Sequence, residues 1–234
     1  MLQPSDNKIP ENRARFRKSL SDLQDSLIDM ASMVDKALHL SLYIMKTRDH
    51  RQAESLIRAD SDINTKRYEL EEEAMRLLAT QQPVLSRDLR LVAAVMHIAG
   101  ELERMGDYAK GLARISEKME GLAPTSALVL MDKMMQISRE MLNQSIDAFL
   151  KGDIELAREL IRRDDEIDVL YNEAYHDLLK RMMEDNRVVD LATYMLWAIH
   201  NVERMGDRIT NICERIIFVE TGQIMSNHPP MHVD

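Results

Sequence analysis

The sequence predicts an all-α protein made of two tandem antiparallel three-helix bundles related by internal duplication. Three observations carry that prediction. The six prolines, Pro4, Pro10, Pro83, Pro124, Pro229 and Pro230, lie at the ends of the chain or between periodic segments, so nothing interrupts the long stretches between them. Within those stretches apolar residues recur at alternating spacings of four and three, the mark of a helix with one buried stripe. The second half also repeats the first. LIRADSDIN (Leu56 to Asn64) matches LIRRDDEID (Leu160 to Asp168) at an offset of 104, and ERMGD (Glu103 to Asp107) recurs at Glu203 to Asp207 at an offset of 100. Abundant Ala, Leu, Met, Glu and Arg, with 7 glycines and 4% aromatic residues, favour helix over strand.

The elements follow in order. A first helix runs from about Glu11 to Lys46. Asp49 N-caps a second, which continues to about Thr80. Residues 81–85, around Pro83, form a short loop, and Ser86 caps a third helix reaching about Glu120. Gly121 and Pro124 punctuate the midpoint. In the second half a helix starts at Thr125 or Ser126 and ends near Lys151 and Gly152. Asp153, at the same offset of 104 from Asp49, caps the next, which ends near Asp185. The last helix spans about Val188 to Thr221 and Gly222, and the tail around Asn227 to Pro230 reads as disordered. The two repeats thus occupy residues 1–121 and 122–234.

The third helix of each repeat shows the core seam: Leu91, Val95, Ile98, Leu102, Met105, Ala109 and Leu112 in one, and Leu191, Met195, Ala198, Val202, Met205, Ile209 and Ile212 in the other. Short loops make successive helices antiparallel. Methionine, at 18 residues, serves as core filler. Cys213 also sits on an apolar stripe and packs there.

Charge and motifs exclude several function classes. A net charge of −9 does not suit wrapping nucleic acid or an anionic membrane. The one basic cluster, Arg13-Ala14-Arg15-Phe16-Arg17-Lys18, reads as the solvated start of a helix. No apolar run is long enough to span a bilayer; Leu191 to Ile199 is too short and is broken by Thr193. A single cysteine and no secretory leader point to the cytoplasm, although a partner can still be a membrane protein. There is no phosphate-binding loop, no dinucleotide fingerprint and no readable nucleophilic triad, so no enzyme is expected. A di-iron carboxylate oxidase of ferritin type needs Glu-x-x-His on two helices. Only Glu173 to His176 provides one, and its repeat counterpart, Glu69 to Glu72, lacks the histidine.

The remaining pattern is acidic. Beside each core seam an apolar stripe turns acidic at the same point: Val92, Met96 and Ala99 lead to Glu103 and Asp107, and Ala192, Leu196 and Ile199 lead to Glu203, Asp207 and Asn211. Carboxylates at i and i+4 share one helix face and repel each other unless a cation sits with them. The second helices carry matching pairs, Asp60 with Asn64 and Asp164 with Asp168. In each hairpin the two pairs lie at equal sequence distance from the turn, so they stand level. The implied site is four oxygen-bearing side chains from two helices, a donor set for magnesium, manganese, calcium or iron, and less suited to zinc. Gly106 and Gly206 within the pentapeptides cost about 1 kcal/mol each relative to alanine, which suggests a need for close helix approach.

At these residues the chain resembles the PhoU family, cytoplasmic regulators of phosphate uptake. The resemblance rests on DLRLVAAVMHIAGELERMGDYAKGLARI (Asp88 to Ile115), on MMEDNRVVDLATYMLWAIHNVERMGDRITNICERI (Met182 to Ile216) and on the second-helix segments quoted above, and covers roughly Phe16 to Gly222. It implies two three-helix bundles, a homodimer, and metal ions (iron, manganese, magnesium or zinc) on the acidic faces. The ligands it implies are Glu103, Asp107, Glu203 and Asp207, with Asp60, Asn64, Asp164 and Asp168 beside them. Asn64 departs from the pattern by offering a neutral amide. The resemblance further implies negative regulation by docking to a phosphate ABC transporter, on its ATPase side, or to a sensor histidine kinase. A metal-free helical adaptor is the alternative.

Overall fold

The computed structural model describes residues 11–80, 85–119 and 126–223. Six helices account for nearly all of them: α1 (Glu11–Thr47), α2 (His50–Thr80), α3 (Ser86–Lys118), α4 (Ser126–Lys151), α5 (Ile154–Glu184) and α6 (Val189–Thr221), with a single 3-10 turn, Asn186–Val188, leading into α6. There is no strand among the described residues.

Two expected caps are present. Asp49 accepts the backbone N–H groups of Arg51 and Gln52 at 3.0 and 3.1 Å, and Asp153 accepts that of Leu156 at 3.0 Å. Both satisfy amides that the first helical turn leaves without partners. The cap expected at Ser86 is not formed. Leu85 occupies the N-cap position with no side-chain hydrogen bond, and Ser86 is already the first helical residue. A capping hydroxyl must stand just before the helix, so Ser86 arrives one residue too late, and Asp88 brings negative charge to the positive end of the helix dipole instead. At the other end of the chain, α6 closes on Gly222, whose φ of 74° lets its N–H reach Phe218 O at 2.8 Å. The expectations for residues 81–84, 120–125 and 227–230 lie outside the described residues.

Every residue of the two predicted seams is buried, and both belong to one continuous apolar core. The continuity comes from how the repeats meet. α3 and α6 run antiparallel through the centre, with α1 and α4 packed together beside them. Asn211 and Arg208 donate to Glu101 Oε2 at 3.1 and 3.3 Å, and at the far side of the crossing Asn201 lies over Gly111. Positions 101 and 201 are equivalent in the repeats, as are 111 and 211, so the contact obeys a pseudo-twofold axis. On the α1–α4 side, Arg139 makes a fork-like pair with Asp35, both bonds 2.8 Å. Asp35 and Arg139 occupy equivalent repeat positions, so a pseudo-symmetric contact is closed by opposite charges. The antiparallel crossing also sets the two ERMGD segments level with each other, one on each side of the axis.

Candidate metal centre

In the second repeat, α5 and α6 bring Asp164, Asp168, Glu203 and Asp207 together. The equal heights expected from the hairpin do correspond to facing side chains. Asp164 is pushed up to about 7, by burial first and then by the charges of Asp168, Asp207 and Glu203. Asp168 and Glu203 are also raised, each by burial first; Asp207 is the next cause for both. Neither Asp164 nor Asp168 has an ion-pair partner among the described residues. The cations that do approach stay at longer range than Lys110 does in the first repeat. His200 Nδ1 lies 3.3 Å from Glu203 Oε2, Arg204 Nε lies 3.9 Å from Asp207, and Arg208 lies 3.8 Å from Asp207 while held by Glu101. Glu203 Oε2 is buried and makes no hydrogen bond.

Gly206 explains how the helices come so close. A Cβ there would run into Asp164 Oδ1 and stand 3.1 Å from Ile167 Cδ1. At Gly106 the same atom would meet only the Ile63 side chain, its Cδ1 at 3.0 Å and its Cγ2 at 3.4 Å.

The first repeat builds the same frame and fills it differently. Lys110 Nζ donates to Asp60 Oδ2 and Asp107 Oδ1, both at 2.6 Å. Arg67 reaches Glu103 Oε2 at 3.4 Å while donating to Glu71 at 2.8 Å. Asn64 turns its amide N–H group toward Asp60 Oδ2 at 3.2 Å, so it acts as a donor within the cluster. Burial alone would lower Lys110, but its contacts with Asp107 and Asp60 outweigh burial and raise it, which fixes it as an ammonium. Glu103 is raised by burial and by Asp107, and Arg67 opposes the shift.

Sequence reasoning missed Lys110, Arg67 and His200. The arginine of the second ERMGD does not bridge the acid pairs: Arg204 Nε lies 3.9 Å from Asp207 and turns to the Tyr108 hydroxyl at 3.5 Å. The repeat alignment held the signal for the others. Lys110 corresponds to Thr210, and Arg67 to Tyr171. Thr210 turns its hydroxyl back to its own helix, donating to Asp207 O at 2.8 Å. Glu173 and His176 are exposed on α5, so no ferritin-like core site forms around them.

Among the described residues no three His, Cys, Asp or Glu side chains converge closely enough to hold an ion as they stand. The second cluster nonetheless has the donor set a cation needs: four carboxylates, one buried oxygen that accepts no hydrogen bond, and no ammonium bridging them. The first does not, because Lys110 and Arg67 already supply the positive charge. Cys213 brings no thiolate chemistry, since it is buried in the core and burial pushes its thiol up to about 12.

A family model described as the PhoU domain matches the chain twice, over residues 27–116 and 131–216. The chain belongs to the PhoU family. Among relatives, the phosphate-specific transport system accessory protein PhoU homolog of Clostridium acetobutylicum is 32% identical over 211 residues, covering 90% of this chain and 96% of its own. The PhoU protein of Escherichia coli, also named a phosphate-specific transport system accessory protein, is 31% identical over 209 residues, 89% of this chain and 86% of its own. The crystal structure of PhoU from Pseudomonas aeruginosa superposes with a TM-score of 0.83 at 30% identity, over 89% of this chain and all of that one (100%). That of the phosphate transport system regulatory protein PhoU from Streptococcus pneumoniae gives 0.84 at 28% identity, over 90% of this chain and 99% of that one. The Clostridium and Escherichia proteins are named as accessory proteins and the Streptococcus one as a regulatory protein, none of them as an enzyme. No described helix is long and apolar enough to cross a membrane.

Proposed function

We propose that this chain is a cytoplasmic negative regulator of phosphate uptake and phosphate-responsive signalling. In this reading it docks to a phosphate ABC transporter, on its ATPase side, or to the associated sensor histidine kinase. The observation that carries the reading is the full-length similarity to proteins named as phosphate-specific transport accessories. The homodimer implied by the family belongs to the same reading, and light scattering checks it.

Metal binding is the second part of the proposal, and it falls on the second repeat. Asp164, Asp168, Glu203 and Asp207 would hold the ion, their side chains closing inward on it. The ion would supply positive charge that relieves the crowded carboxylates and bridges to an oxyanion or to an acidic patch on a partner. At Asp60, Asn64, Glu103 and Asp107 an ion would have to displace Lys110, which makes that site the weaker one.

Elemental analysis of tag-free protein tests the metal. Stoichiometric iron, manganese, magnesium or zinc in the parent, absent from a still-helical Glu203→Gln/Asp207→Asn variant, supports the reading. No metal in either after incubation with those ions sinks it and leaves a metal-free adaptor. Co-purification with the transporter ATPase subunit and with the kinase tests the docking; capture of neither overturns it.

A further inference from the structure

A cavity of about 380 Å³ lies between the first half of α5 and the last turns of α6, lined by Arg158, Ile161, Arg162, Ile217, Thr221 and Gln223. That size is typical of small-molecule sites, roughly 300–1,000 Å³. Two arginines one helical turn apart share a face of α5, and like charges at that spacing are mildly unfavourable. Among the described residues neither guanidinium has a carboxylate partner. The acceptors at the end of α6 do not need them either. Ile217 O is taken by the Thr221 hydroxyl, Phe218 O by the N–H of Gly222, and Val219 O by Arg90.

The first repeat shows what the ordinary solution looks like. Arg158 and Arg162 correspond to Glu54 and Arg58, which pair with each other at 3.4 Å along α2. In the second repeat the acid is replaced by a second arginine, so an internal ion pair becomes a pair of free guanidinium forks. Two such forks side by side suit a tetrahedral oxyanion, each fork donating one N–H to each of two oxygens. Ile161 and Ile217 give the cavity an apolar wall as well as its basic edge.

We propose that this cavity binds a phosphate group, gripped by Arg158 and Arg162, with room along Ile161 and Ile217 for whatever the phosphate is attached to. The site is separate from the carboxylate cluster and does not depend on metal. Its ligand is either free phosphate or a phosphate monoester carrying a flat or apolar group.

Calorimetric titration of the full chain, at low ionic strength and with a chelator present to remove metal-held phosphate, tests it. The probes are inorganic phosphate and phenyl phosphate. Both are expected to weaken about tenfold or more in Arg158→Glu, which restores the Glu–Arg pairing of the first repeat and so preserves the helix. The same loss is expected in Arg162→Gln, with no change in Arg58→Gln. Phenyl phosphate binding about tenfold tighter than inorganic phosphate assigns the site to a monoester; equal binding assigns it to the free ion. Binding of neither probe, or binding undiminished by Arg158→Glu in a protein of unchanged helicity, overturns the proposal.

Discussion

Lys110 and Thr210 stand at the same place in the two repeats, three residues beyond the aspartate of ERMGD. The lysine spans to Asp60 and Asp107 and closes the first cluster as an internal ion network. The threonine bonds its own helix backbone and leaves the second cluster open. Arg67 against Tyr171 and Asn64 against Asp168 push the same way. One scaffold thus carries three carboxylates with two cations in one half, and four carboxylates approached by cations no nearer than 3.3 Å in the other. The backbone sets where the acids meet; two or three side chains decide whether the chain or the solvent supplies the countercharge. Burying unneutralised carboxylates is costly, so under the proposed function an external cation would relieve more strain at the second cluster than at the first.

The sharpest way to break the comparison is to remove one acid pair at a time. Asp164→Asn/Asp207→Asn is expected to abolish bound metal, whereas Glu103→Gln/Asp107→Asn leaves it in place, by elemental analysis of both. Retention of metal in the first variant, with loss in the second, would reverse the assignment of the repeats.

Exchanging the closing residues comes next. Lys110→Met strands Asp60 and Asp107 and is expected to cost about 2 kcal/mol in metal-free denaturant melts. Lys110→Thr combined with Asn64→Asp and Arg67→Tyr should convert the first cluster into a copy of the second and add a second metal equivalent. Thr210→Lys should do the opposite, stabilising the metal-free protein and weakening metal binding.

A pH series sharpens the contrast further. Asp164 titrates near 7 in the folded chain, against about 3.9 when unfolded. Between those values the folded state holds more protons, so its advantage is complete below the lower value and is lost as pH rises through 7. The metal-free melting temperature is expected to fall by about 4–8 °C from pH 5.5 to 8, the equivalent of about 2 kcal/mol. Asp164→Asn should flatten that slope, and saturating divalent metal should reverse it. An equal slope in the Asp164→Asn variant would assign the effect elsewhere.

The smallest effect is at the glycines. Alanine at Gly106 meets a flexible Ile63 tip and gains helix propensity, so its net change should lie within about 0.5 kcal/mol of zero. Alanine at Gly206 displaces the Asp164 carboxylate and should weaken metal binding measurably more than Gly106→Ala does.

Much of this was legible in the residues. The seams of α3 and α6, the caps at Asp49 and Asp153, and the level placement of the three acid pairs and of Asp60 with Asn64 follow from period, spacing and distance from a turn. Such rules act through the backbone. What they miss is reach. Lys110 lies three residues from Asp107, but only the packing of α2 against α3 shows that its four-carbon stem ends between two helices. The start of α3 at Ser86 is missed for a related reason: a residue able to cap does so only if the chain enters the helix just after it. His200 stands beside Glu203 one turn further along α6, a contact that helical spacing alone could have shown.

The fork between Arg139 and Asp35 has a consequence for assembly. A half-chain meeting a second copy of itself in the same arrangement would set aspartate against aspartate, or arginine against arginine, at a partly buried spot on the axis. Only the mixed pairing is attractive. Two half-length polypeptides made separately should therefore sort into heterodimers. Divergence at this one pair would have been enough to turn a self-associating ancestor into two halves that each require the other.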